Sequence, residues 1–228
     1  LSGNSLADHA IGPLMVEGLR NDYCTITSLD LSKNNVSGTV LARAIQLNRS
    51  LTSLDVRNNP IDDQALWVLG GLLLGEACLC KISSIRTYAF EVETHATVLD
   101  LHDQKLESGA VRLLAGIVKF NTSLEELNLS GCNVEPQSTQ PIAQGLMANR
   151  TLKCFDLSKN PMCDPNLNAP GDKGLALFAE SIRSSASLQR LTLEGGELPI
   201  KSLKGIIEKV EKGERRQSVS GEKGGGGA

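Results

Sequence analysis

VLDLHDQKL (Val98–Leu106), ELNLSGCNV (Glu126–Val134) and FDLSKNPM (Phe155–Met162) are one phrase written three times, with Leu99, Leu127 and Phe155 in equivalent places 28 residues apart. Apolar residues alternate within it. Leu124-x-x-Leu127-x-Leu129 puts Leu127 and Leu129 on one face of a short strand and Glu126, Asn128 and Ser130 on the other. One face is core and the other is display. The polar residue that follows (Asn34, Asn59, Gln104, Cys132 or Asn160) falls where the chain turns inward and backbone groups lose their ladder partners. A short side chain with donor and acceptor capacity satisfies them, and stacked from unit to unit it forms a ladder of its own. A helical pattern then leads to the next strand. A unit this small cannot bury its apolar face alone, so neighbours must stack.

Outward from this stretch, the phrase returns as Ile26-x-x-Leu29-x-Leu31-x-x-Asn34-x-Val36 and as Leu51, Leu54, Val56, Asn59 and Ile61. Leu1, Asn4 and Leu6 match only its last positions, so the first unit is expected to be truncated and the sequence to be a fragment of something longer. Helical spacing links Ile11, Leu14, Met15 and Leu19, then Val40, Leu41, Ala44 and Ile45, which Asn48 should end in a left-handed conformation. A third helix carries Leu66, Leu69, Leu72 and Leu73, with Asp62 or Asp63 as its cap. Later helices carry Val111, Leu113, Leu114 and Ile117, then Ile142, Leu146 and Met147, then Leu175, Phe178 and Ile182.

The rhythm breaks at 79–97, which predicts one degenerate repeat. Ile82 arrives 28 residues after Leu54, but Ser84 and Thr87 stand where an aliphatic residue and an Asn are expected, and Leu99 follows only 17 residues later. Thr87–Thr97 is therefore expected as a looped or extended crossover, with Tyr88, Phe90 and Val92 filling the core. Pro165, Pro170 and Gly171 make the insertion at 163–173 a loop. Leu188-x-x-Leu191-x-Leu193 is the last strand, and Leu203, Ile206, Ile207 and Val210 predict a capping helix over 200–212. The repeat domain then spans 1–212, and the tail 213–228, GERRQSVSGEKGGGGA, cannot bury anything and is expected to be disordered.

The segments LTSLDVRNNPI, LEELNLSGCNV and LKCFDLSKNPM resemble the ribonuclease-inhibitor-like subclass of leucine-rich repeats. The resemblance covers Leu1 to about Val210. It implies an α/β fold: a right-handed solenoid, a horseshoe of about eight repeats with a concave parallel sheet and convex helices. Proteins of this kind include the sensor arms of NOD-like receptors, tropomodulin-like actin regulators and Ran GTPase-activating protein, and most grip another protein along the concave sheet.

The composition fits. Aromatic residues make up only 3% of the chain, which suits a thin core of stacked Leu, Ile and Val, and a net charge of −3 gives no signal for a nucleic-acid or anionic-membrane partner. No apolar run approaches the roughly 18 residues of a membrane span. The six cysteines are scattered and form no flanking cluster, which points to a reducing, cytoplasmic setting. The sequons at Asn48, Asn121 and Asn149 each lie three residues before a strand Leu, so the repeat itself generates them.

No phosphate loop, metalloprotease motif or nucleophile elbow is present, and His9, His95 and His102 have no partner at metal-ligand spacing. Asp164-Pro-Asn166-Leu-Asn168 begins like a calcium loop, but Ala169 holds the required Gly position and Leu175 that of the closing Glu. The reading is therefore no enzyme, no metal, no cofactor and no small-molecule substrate. What remains is the display face. Asp30, Asp55, Asp100, Asn128 and Asp156 take the same strand position in successive units, with Ser83 interrupting the column, about 4.8 Å apart per strand step. Ser28, Arg57, Lys81, His102, Glu126, Arg190 and Glu194 flank it. Such a wall suits a protein partner with a basic surface. Trp67 is expected to pack on the helical side. Arg215-Arg216-Gln217-Ser218 fits a basophilic kinase preference, which makes Ser218 a candidate phosphosite. The leading function is a non-enzymatic interaction module or scaffold. The alternatives are a GTPase activator resembling the Ran type and a structural segment of a cytoskeletal or axonemal assembly.

Overall fold

A computed structural model describes residues 1–163, 173–193 and 196–199. Glu194, Ser218, the expected capping helix at 200–212, the tail from 213 and nearly all of the insertion lie outside them. Helices α1 (Asp8–Arg20), α2 (Gly38–Ile45), α3 (Asp63–Leu74), α4 (Ser108–Phe120), α5 (Thr139–Ala148) and α6 (Lys173–Ser184) alternate with short strands. The strands are β1 (Ser28–Asp30), β2 (Ser53–Asp55), β3 (Ser84–Arg86), β4 (Glu91–Val92), β5 (Val98–Asp100), β6 (Glu126–Asn128), β7 (Cys154–Asp156), β8 (Arg190–Leu193) and β9 (Gly196–Pro199).

A repeated turn explains why most strands are only three residues long. At its end the Asp or Asn side chain accepts the N–H two residues on: Asp30 from Ser32 at 2.8 Å, Asp55 from Arg57 at 3.0 Å, Asn128 from Ser130 at 3.0 Å and Asp156 from Ser158 at 2.8 Å. One residue beyond each of those N–H groups, and beyond that of His102, the backbone goes left-handed, at Lys33, Asn58, Asp103, Gly131 and Lys159. The next residue turns inward and is the ladder position. Asn59 donates to Leu31 O at 2.8 Å and accepts from Val36 N at 3.0 Å, and Asn160 does the same for Leu129 O at 2.7 Å and Val134 N at 2.9 Å. The Cys132 thiol takes the place of an amide, 2.9 Å from Leu101 O. Gln104, expected in this ladder, is exposed instead, because its longer side chain leaves the turn.

The single sheet expected is two. β1, β2 and β3 pair in parallel and β4 turns back antiparallel on β3; β5 to β8 pair in parallel and β9 turns back on β8. The fourth unit also sits in a different register from the one its spacing suggested. Ile85, not Ile82, pairs with Leu54, and Arg86 pairs with Asp55, so Arg86 rather than Ser83 continues the column and Lys81 lies off the strand. The unit's true phrase is Ile82-x-x-Ile85-x-Thr87, displaced by a longer connection after α3. Its ladder position falls on Phe90, which is buried together with Val92. Thr87 holds the hairpin, its hydroxyl accepting from the Ala89 and Phe90 N–H groups. Tyr88 sits at the tip of this turn and is 58% exposed, so it does not fill the core.

The helical layer is continuous where the sheet is not. A Cβ on Gly70 of α3 would stand 2.5 Å from the Arg112 carbonyl carbon and the Leu113 nitrogen of α4, so only glycine allows these two backbones to touch. Asp62 caps α3 through Ala65 N at 2.9 Å, whereas Asp63 caps the neighbouring α4, accepting from Gly109 N and Ala110 N at 2.9 Å each. One apolar core runs from Ile11 to Leu191 and includes the centres of strands β1 to β8 other than β4's Glu91. Met147, expected to be inside, is exposed. Asn48, Asn121 and Asn149 do not end helices in a left-handed conformation; buried, they tie consecutive units together. Asn149 donates to Val118 O at 2.7 Å and accepts from Leu152 N at 2.8 Å. Their burial also keeps these sequon amides away from solvent.

Candidate interaction face

The pleat decides which side chains are shown. At each strand centre an apolar residue points inward (Leu29, Leu54, Ile85, Leu99, Leu127, Phe155 and Leu191), and its two neighbours point outward. Register places Ser28, Ser53 and Ser84 in one outer row of the first sheet, with Asp30, Asp55 and Arg86 in the other. In the second sheet the rows are Val98, Glu126, Cys154 and Arg190, then Asp100, Asn128, Asp156 and Thr192.

These two faces differ in how their charge is used. On the first, Arg57 folds back over Asp55, with Nε and Nη2 2.7 to 3.2 Å from its oxygens, and reaches Glu91 with Nη1 at 2.7 Å. Arg86 forks onto Glu93 at 2.7 and 2.8 Å and lies 3.6 Å from Glu91 and 3.9 Å from Asp55. Asp55, expected among the partner-facing acids, is consequently buried under guanidinium groups, with only 7% of its surface exposed. The Arg57 guanidinium is held more firmly protonated than usual, above all by its hydrogen bonds to Asp55. Arg86, Glu91 and Glu93 were missed in the sequence. The signal that could have found them is the match of Ile82-x-x-Ile85 to Leu51-x-x-Leu54.

On the second face the carboxylates are less engaged. Asp100 and His102 pair, Oδ1 to Nδ1 at 2.8 Å, which lowers the Asp100 pKa and raises that of His102, in each case mainly through this hydrogen bond. Glu126 is exposed and Asp156 half-exposed, and a shallow depression of about 200 Å³ lies among Asp100, Glu126, Asn128, Asp156, Arg190 and Thr192. Of the candidate residues, Asp100, Glu126, Asn128, Asp156 and Arg190 thus come together; Asp30, Asp55 and Arg57 lie on the other sheet. On the helical side Trp67 stacks beneath Arg112, whose guanidinium carbon is 4.2 Å from the ring centre.

The family described as Leucine Rich repeat matches residues 24–39, 47–66 and 120–143, the stretches that carry β1 with its turn, β2 with the start of α3, and β6 with the start of α5. The chain is 28% identical over 218 residues to NACHT, LRR and PYD domains-containing protein 12 of Mus musculus, a match that covers 86% of this chain and 20% of that protein. It is 29% identical over 174 residues to protein 9 of the same series from Bos taurus, covering 69% of this chain and 17% of that one. The chain thus carries leucine-rich repeats similar to those of the NACHT, LRR and PYD proteins. Its leucine-rich repeats align with about a fifth of the length of these relatives. A solved structure of Leiomodin-1 Actin-Binding Site 2 overlaps 92% of this chain and 95% of that one, with 15% identity and a TM-score of 0.30, too slight to argue from. Among the described residues no helix is long and apolar enough to cross a membrane, and no group of three or more His, Cys, Asp or Glu is placed to hold a metal ion.

Proposed function

We propose that the chain is a non-enzymatic interaction module whose repeats, spanning 1–212, stack as a right-handed horseshoe and dock a protein partner on the outward faces of the strands. The observation that carries this reading is the open face of β5 to β8, a shallow wall of exposed polar and charged side chains with a depression rather than an enclosed cleft. Shallow, polar walls of this kind suit a protein surface, whereas small molecules favour enclosed and largely apolar cavities. Exposed acids there favour a basic partner surface and disfavour nucleic-acid and anionic lipid phosphates. Cys24, Cys78, Cys80, Cys132 and Cys154 are free thiols, which supports a reducing, cytoplasmic setting.

The test is capture of a partner from cell extract by the intact chain and by two variants. Asp100→Lys with Asp156→Lys should abolish capture of the dominant partner, and Arg112→Glu on the helical side should leave it intact. The opposite pattern would move docking to the helices and refute the proposal. Stimulated GTP hydrolysis by any small GTPase in a panel would favour the activator reading instead.

A further inference from the structure

The first sheet shows what this frame does with a guanidinium. Arg57 lies three residues beyond the strand centre Leu54, folds back and grips Asp55 through two nitrogens, 2.7 and 3.1 Å from its two oxygens. In the second sheet the positions three beyond Leu99, Leu127 and Phe155 hold His102, Ser130 and Ser158. Neither serine can reach back with a charge. Asp156 spends Oδ1 on the Ser158 N–H at 2.8 Å, and Glu126 stands exposed one row away. Among the described residues no guanidinium contacts Asp100, Glu126 or Asp156, although all three border the depression of about 200 Å³. Apart from His102 on Asp100, the second face therefore has, among the described residues, the acceptors of the first without a donor folded back from its own turn.

Building on the docking reading above, we propose that the second face receives an extended partner segment through an arginine, whose guanidinium takes over Asp156 and Asn128 the place that Arg57 fills over Asp55. Strands about 4.8 Å apart suit a planar group with five donors that can bridge neighbouring columns. A lysine ammonium, being a point charge, spans them less well. Arg190 lies at the β8 margin of the depression. Phosphate and anionic lipid surfaces are disfavoured by the same three carboxylates.

The probe is a fluorescein-labelled, end-blocked Gly-Arg-Gly-Arg-Gly peptide, with lysine and glutamate counterparts, titrated by fluorescence anisotropy in low salt. The arginine peptide should bind, the lysine peptide about threefold or more weakly, and the glutamate peptide not at all. Glu126→Gln with Asp156→Asn should weaken the arginine peptide about tenfold, while Asp30→Asn on the first face should change it less than about twofold. Ser130→Arg, which supplies the missing donor in cis, should weaken it about tenfold without moving the urea midpoint. Equal losses from both faces, equal binding of arginine and lysine, or an inert Ser130→Arg would each overturn the assignment. If peptides fail to bind while Asp100→Lys with Asp156→Lys still abolishes partner capture, the guanidinium assignment alone falls. If no face variant affects capture, the docking reading falls with it.

Discussion

Replacing Gly70 by alanine separates close packing from helix propensity. On propensity alone, Gly→Ala in a helix gains about 1 kcal/mol. At Gly70 the new Cβ would meet the Arg112 carbonyl carbon and Leu113 nitrogen at 2.5 Å and the Arg112 oxygen at 2.7 Å. All three are backbone atoms, so no side chain can rotate away and α3 and α4 must part by most of an ångström. Overpacking of this kind costs about 1–3 kcal/mol, and the strain falls where Leu69, Leu73, Leu113 and Ile117 are fully buried. Two other glycines supply the controls. Gly18 in α1 has nothing within 4 Å of its added Cβ, so Gly18→Ala should stabilise by about 0.5–1 kcal/mol. The atoms nearest an added Cβ at Gly71 belong to the Arg112 guanidinium, 2.6 to 3.0 Å away. That group can move, and disturbing its contact with Trp67 costs about 0.5–1 kcal/mol, so Gly71→Ala should come out near neutral. Urea unfolding followed by circular dichroism at 222 nm would rank the three. With the propensity gain common to both, Gly70→Ala should lie about 1–3 kcal/mol below Gly18→Ala. Equal stability of those two variants would refute the view that a glycine contact joins the halves of the molecule.

Three further outcomes follow from the same geometry. Asn149→Ala removes an amide that serves Val118 O, Asn121 O, Thr151 N and Leu152 N, and should cost about 3 kcal/mol in urea unfolding; a loss below about 1 kcal/mol would show that water replaces it. Burial pushes the Cys80 thiol up to about 12 and the Cys132 thiol up to about 11, so a thiol reagent at pH 8 should leave both unmodified in the native protein and label both in urea, as read by mass spectrometry. In an NMR titration His102 should titrate above 6.5, and Asp100→Asn should return it toward that value. The sign for stability follows. The raised His102 contributes fully below pH 6.5 and fades as pH rises through its folded value, and the lowered Asp100 contributes above pH 3.8 and fades as pH falls through its own. Both are therefore present between those limits.

Strand positions were legible because the phrase L-x-x-L-x-L makes the buried and displayed faces explicit, and the pairs Leu29–Leu54 and Leu99–Leu127–Phe155 stand in the expected register. The fourth unit was not, because a fixed 28-residue count overrode the local pattern. With Ile82 matched to Leu51 the strand centre falls on Ile85, and the apparent faults at Ser84 and Thr87 become a displayed position and a hairpin anchor. Asp30, Asp55, Asp100, Asn128 and Asp156 do share one strand position, but on two sheets rather than in one column, with Arg86 beside Asp55. A pattern in sequence does not reveal that Arg57 curls back two residues, or that β4 brings Glu91 alongside it while Glu93 meets Arg86. Each Asp also has a local task that the spacing could not show, since its oxygen closes the turn after the strand. Lys33 and Lys159, left-handed without glycine, indicate how strongly that turn is imposed.

The same bookkeeping of polar groups accounts for the division into two sheets. Parallel pairing between successive units carries on only if the inward turn that follows each strand is satisfied by its neighbour. Asn34 and Asn59 do this on one side, Cys132 and Asn160 on the other. Between them the ladder position falls on Phe90, which has no polar side-chain group to offer, and on Gln104, which points to solvent. The unit that bears Phe90 therefore satisfies its own backbone, Thr87 N to Phe90 O at 3.0 Å, by folding β4 back on β3. With the strands released from one another there, the load of joining the halves passes to α3 and α4. Those helices meet at glycine distance, and Asp63 at the start of α3 caps α4. A graft of asparagine at position 90 alone should therefore not restore one sheet, because the hairpin and the short interval from Ile85 to Leu99 leave no free strand edge to pair.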